Sequence, residues 1–111
     1  MNKTRRGNIR SLIKRLNTLL ERAKLLVDDD WIDDLQDLID NLTDVLCEEE
    51  EYRDNIPENL QGSSRYEKAD CACDSLDCAI SGLEYIDAED NLDYIERTIN
   101  EAINELEQAM E

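Results

Sequence analysis

Apolar residues recur at alternating three- and four-residue spacing along almost the whole chain, and that rhythm confines it to packed α-helices. Ile9, Leu12, Leu16, Leu19, Ala23 and Leu26 keep the spacing from Thr4 onward, with Ile13, Leu20 and Val27 widening the stripe. Such a period places the apolar side chains on one face of a helix, and that face needs a partner. A second stripe, Trp31, Leu35, Leu38, Leu42, Val45 and Tyr52, starts one residue out of register after Asp28, Asp29 and Asp30. A third runs through Tyr66, Ala69, Cys73, Leu76, Ile80 and Leu83 and breaks around Ile86 and Asp87. The last holds Ala88, Leu92, Ile95, Ile99, Ala102, Leu106 and Ala109. With no Phe and a single Pro, the chain lacks the residue usage of a sheet protein.

The stretch Y-R-D-N-I-P-E-N-L-Q-G-S-S-R-Y-E, Tyr52 to Glu67, divides the pattern in two. Pro57 has no N–H to donate and pushes Ile56 out of the α region, so a helix should end near Asp54. Gly62 tolerates a positive φ, which suits a reversal. Ser64 and Glu67 have capping-box spacing, so the next helix should start at Ser63 or Ser64. Ile56 and Leu60 offer two apolar contacts to the helices being joined.

The reading is all-α and a single domain over 1–111, with helices near 4–27, 31–55, 64–85 and 88–110 and a turn at 56–63. The chain forms two helix–break–helix halves, about 1–55 and 64–111. A shift of 57 residues lays Leu19 on Leu76, Leu26 on Leu83, Asp30 on Asp87, Asp33 on Asp90 and Leu35 on Leu92, the pattern a duplication would leave. Two architectures fit. Turns at both breaks give an antiparallel four-helix bundle ~35 Å long, whereas continuous helices give a coiled-coil hairpin with arms of ~75 Å. Asp30 with Asp33 and Asp87 with Asp90 have cap-like spacing and favour turns, while no Gly or Pro enforces them.

The formal net charge is −17, unevenly spread. Residues 1–24 carry eight basic side chains against Glu21 alone, and residues 25–111 carry four basic and 28 acidic ones. A basic first helix lying beside acidic helices of the same chain explains this without a ligand. A nucleic-acid or membrane arm is disfavoured, because the rest of the chain would repel phosphates. No apolar run approaches the ~20 residues of a membrane span and no signal-peptide core is present, so the expected location is the cytoplasm.

Side chains for catalysis or metal binding are poorly represented. Histidine is absent, which removes the commonest general base and metal ligand. Cys71 and Cys73 point about 200° apart on a helix, and Cys71 and Cys78 lie ~10 Å apart, so neither a zinc set nor a local disulfide is expected. Cys73 falls in the apolar stripe, while Cys47, Cys71 and Cys78 read as reduced bystanders. Glu48 with Glu51, or Asp87 with Asp90, have the three-residue spacing by which helical pyrophosphohydrolases hold Mg²⁺, but they lie in acidic runs with no converging pocket. Asp28, Asp29 and Asp30 lack the alternation and glycine of an EF-hand. The expectation is a non-enzymatic protein without metal or cofactor. Trp31, the sole tryptophan, reads as core at the head of the second helix, with a partner-binding hot spot as the other reading.

One polar pattern stands out. Asp30, Asp33, Asp37, Asp40, Asp44, Glu48 and Glu51 recur every three or four residues along one helical face. Over ~31 Å they advance about 5 Å each, against ~3.4 Å of axis per phosphate in one DNA strand. A charged row is ordinarily the solvated side of a helix. Here no Lys or Arg lies between Lys24 and Arg53, so repulsion along the row has no i,i+4 relief. The row is therefore the candidate partner-binding surface.

The Tyr52–Glu67 motif and the opening M-N-K-T-R-R with its Ile/Leu stripe resemble short acidic helical proteins of Firmicutes phages and mobile elements. The resemblance covers 1–27 and 48–85, with Asp28–Cys47 and the last 25 residues as extensions, and Ser64 replaces a Glu common in that family. It implies a phage-encoded cytosolic accessory protein and no particular activity. By analogy with small acidic phage inhibitors of host defence, including anti-CRISPR and anti-restriction DNA mimics, the expected partner is a host protein with a basic nucleic-acid-binding surface, such as a Cas nuclease. No direct nucleic-acid contact is expected, and a homo-oligomer is compatible with the sequence. The competing expectation is a structural coiled-coil protein that assembles through its apolar stripes.

Overall fold

The computed structural model describes all residues, Met1–Glu111. It contains α1 (Lys3–Ala23), α2 (Asp29–Asp54), a short 3₁₀ turn (Glu58–Leu60), α3 (Ser64–Glu84) and α4 (Leu92–Ala109), with no strand. Each helix packs on its neighbour in sequence and α4 closes back on α1, so the chain is an antiparallel four-helix bundle. Its Cα extents of 51 × 20 × 17 Å are too short for the hairpin alternative.

Each helix begins at a side-chain cap. Asn2, Asp28, Ser63 and Asn91 accept hydrogen bonds from the backbone N–H groups of Arg5, Trp31, Tyr66 and Tyr94, satisfying donors that a helix start leaves free. These caps move the expected starts of α2 and α4, while α3 starts at Ser64 as expected. α2 is capped by Asp28, two residues before the expected Asp30. α3 is capped by Ser63, so Ser64 and Glu67 form no capping box. α4 starts at Leu92 because Asp87 and Asp90 are used inside the loop, where the Asp87 N–H donates to the Asp90 carboxylate at 2.8 Å. No glycine has a positive φ, so Gly62 turns without the left-handed backbone expected of it.

α1 stops at Ala23, four residues before the expected end, because residues 24–28 are needed to reach the Asp28 cap. Leu26, expected in the stripe, is consequently exposed in the loop. Leu60 is also exposed, whereas Ile56 is buried beneath the turn as expected. The 57-residue shift does not relate equivalent positions: it pairs exposed Leu26 with fully buried Leu83. The helix starts themselves lie 61 residues apart for Lys3 and Ser64 and 63 apart for Asp29 and Leu92.

The core follows the stripes. Leu16, Leu38, Leu42, Leu76, Leu83, Ile95, Ile99 and Leu106 are fully buried, and Ile39, Ala72, Ala79 and Ile103 widen the seam. Trp31 is completely buried and its indole N–H donates to the Leu19 carbonyl at 2.8 Å, tying the head of α2 to α1. Buried Trp31 has no surface to offer a partner. No helix is long and apolar enough to cross a membrane.

Candidate functional site

The apolar stripe of α2 turns the row outward. With Leu35, Leu38, Leu42 and Val45 committed to the core, positions roughly 150° around the helix face solvent. Asp30, Asp33, Asp37, Asp40, Asp44, Glu48 and Glu51 are all exposed there, on one continuous helix. The structure thus brings all seven onto one surface.

No ion pair reaches the row, a condition it shares with exposed acids of α3 and α4 such as Asp74, Asp77, Asp93, Glu101 and Glu107; its continuity along one face is what sets it apart. Arg22 reaches Asp34 at 2.6 Å, Arg5 reaches Glu49 at 2.7 Å, and Arg53 bridges Asp54 at 3.1 Å and Asp70 at 3.0 Å. The remaining pairs join Lys24 to Glu21 and the Met1 ammonium to Glu49. None of these involves a row residue. Only Asp40 receives a side-chain hydrogen bond, from Gln36 at 3.1 Å.

α1 lies beside α2, and its charges only partly serve the packing. Arg5 and Arg22 pair with α2, as a basic helix beside an acidic one should. Lys3, Arg10, Lys14 and Arg15 remain exposed and make no ion pair. Arg15 lines a groove between α1 and α2 whose other wall includes Asp44 and Glu48. The molecule therefore carries a cationic ridge along α1 on a body whose other three helices are acidic.

Glu49 is the carboxylate that reading the sequence as an acidic run missed. It is fully buried and accepts from the Arg5 Nε, while its second oxygen has no hydrogen-bond partner and lies 3.6 Å from the Met1 ammonium. The Arg5 guanidinium also lies over the Tyr52 ring, 5.4 Å from its centroid. The signal was present, since position 49 continues the seven-residue step from Leu35 and Leu42. This is a structural ion pair at the turn end of the bundle, where Arg6 also donates to the Met110 carbonyl at 3.2 Å.

The cysteines and carboxylate pairs do not assemble into a centre. All four thiols are free, Cys73 buried and Cys47, Cys71 and Cys78 exposed. Burial pushes the Cys73 thiol up to about 11, against the opposing pull of the Arg53 charge. Asp87 and Asp90 are engaged with the loop backbone. No group of three or more Cys, Asp or Glu side chains converges as a metal-binding set.

No protein-family model, curated protein or solved structure matches the chain.

Proposed function

We propose that this is a non-enzymatic, phage-type interaction protein that inhibits a host defence or nucleic-acid-binding protein, in the manner of anti-restriction and anti-CRISPR DNA mimics. One observation carries the reading. Seven exposed carboxylates share one face of α2, and every available cation of the chain pairs elsewhere or not at all. Such a face repels phosphates and attracts a cleft lined with Lys and Arg, whose nucleic acid it would replace. The Lys3, Arg10 and Lys14 ridge keeps the molecule from being acidic all round and fixes which side approaches the cleft. Assembly through the apolar stripes has less support, because those stripes are buried within one chain.

The test begins with capture from a bacterial lysate at low and high salt and identification of the bound protein. Reversing Asp37, Asp40 and Asp44 to Lys should abolish capture while leaving the helical signal intact, since the three positions lie off the core. Wild-type protein should displace duplex DNA from the captured partner, and affinity should fall steeply with ionic strength. Leu38→Asp should instead cost several kcal/mol of stability by burying a charge. Full binding by the folded triple-Lys variant would remove the row from the mechanism.

A further inference from the structure

Five large hydrophobic side chains are exposed, and four of them, Leu25, Leu26, Tyr85 and Leu92, lie at the same end of the bundle. The antiparallel order puts the α1–α2 and α3–α4 connections together there, on a cross-section of 20 × 17 Å. Leu25 is 88 % exposed, Tyr85 77 % and Leu26 63 %. Leu25 and Leu26 are adjacent on one connection and Tyr85 stands at the start of the other, so this end gathers apolar side chains that the bundle itself leaves uncovered. Around them stand Asp28, Asp29 and Asp30 on one connection and Asp87, Glu89 and Asp90 on the other. The nearby cations are engaged, Lys24 with Glu21 and Arg22 with Asp34.

We propose that this loop end anchors the partner: Leu25, Leu26 and Tyr85 enter an apolar pocket rimmed by Lys and Arg on a protein surface. The inference rests on the basic-partner reading above, and Asp30 and Asp33 make the end continuous with the acidic row. The rim decides among occupants. A second copy docked end to end would press two carboxylate rings together, and an anionic lipid surface would meet the same repulsion. Apolar anchors inside a polar rim are how protein interfaces concentrate affinity, with the row supplying orientation and rate of encounter.

The test uses two synthetic probes at physiological ionic strength: an amphipathic Leu/Lys helical peptide and an oligolysine of equal charge. The Leu/Lys peptide should bind the wild-type protein roughly tenfold or more tightly than oligolysine. The variant Leu25→Ser/Leu26→Ser/Tyr85→Ser should lose that margin and retain the oligolysine affinity, with an unchanged circular dichroism spectrum. Equal binding of the two probes by wild type, or a margin that survives in the loop variant, would overturn the proposal. So would a wild-type dimer in analytical ultracentrifugation that the loop variant dissolves, because the end would then serve self-association. The Asp37, Asp40 and Asp44 reversals report separately: oligolysine affinity unchanged by them would defeat the row while leaving the apolar margin to be judged on its own.

Discussion

Two residues show how burial, and not identity, decides what a side chain does here. Glu49 sits among exposed acids yet is fully enclosed with Arg5. Removing Arg5 takes the short hydrogen-bonded partner from buried Glu49 and leaves it only the Met1 ammonium at 3.6 Å, so Arg5→Leu should cost about 3 kcal/mol in urea denaturation. Adding Glu49→Leu to that variant should recover most of the loss, and a double-mutant cycle without such recovery would contradict the pairing. Cys73 behaves likewise. Its thiol is held up at about 11 against an ordinary 9.0, chiefly by burial. Between those values it stays protonated in the folded chain and ionises in the unfolded one. Stability should therefore fall as pH rises from 9 towards 11. The difference from Cys73→Ala isolates this slope. A thiol reagent at neutral pH should modify Cys47, Cys71 and Cys78 in the folded protein and Cys73 only after unfolding.

Helix boundaries were settled by which polar side chain could cap, within the limits set by loop length. Asp28 and Asn91 won over the acids expected to start α2 and α4, because their oxygens reach the N–H three residues on. The helices also carry avoidable cost. Gly7 and Gly82 lie within α1 and α3, and a Cβ at either would meet nothing within 4 Å. Gly7→Ala and Gly82→Ala should each stabilise the protein by about 0.5–1 kcal/mol, since glycine loses more backbone freedom on entering a helix. A loss of stability at Gly82 in thermal or urea unfolding would contradict the open space beside it.

Over the whole molecule, charge opposes folding and serves recognition. A net charge of −17 on 111 residues repels itself in the compact state more than in the expanded one. Raising salt from about 0.01 to 0.3 M should therefore raise the melting temperature, as screening relieves that repulsion. The same change should weaken partner binding through the row. Opposite salt responses in stability and affinity are the expected signature. A melting temperature that falls with salt would mean that the ion pairs outweigh the repulsion.

The helices, their buried faces and the turn after Asp54 were legible residue by residue, because a 3.6-residue period and a proline are local properties. Residue spacing also put all seven row residues on one side of α2, since a helix fixes angular position by count alone. Which of the two antiparallel architectures formed was a tertiary matter, because the Asp-rich breaks carried cap-like spacings but no residue that forbids a helix. Tertiary structure also chose Arg5 for Glu49 and Arg22 for Asp34, contacts between residues 44 and 12 positions apart that leave the row unpaired. It brought Leu25, Leu26, Tyr85 and Leu92 to one end, away from the stripe that Leu26 and Leu92 had continued. Periodicity says which face is apolar, but only closure of the bundle decides where that face runs out.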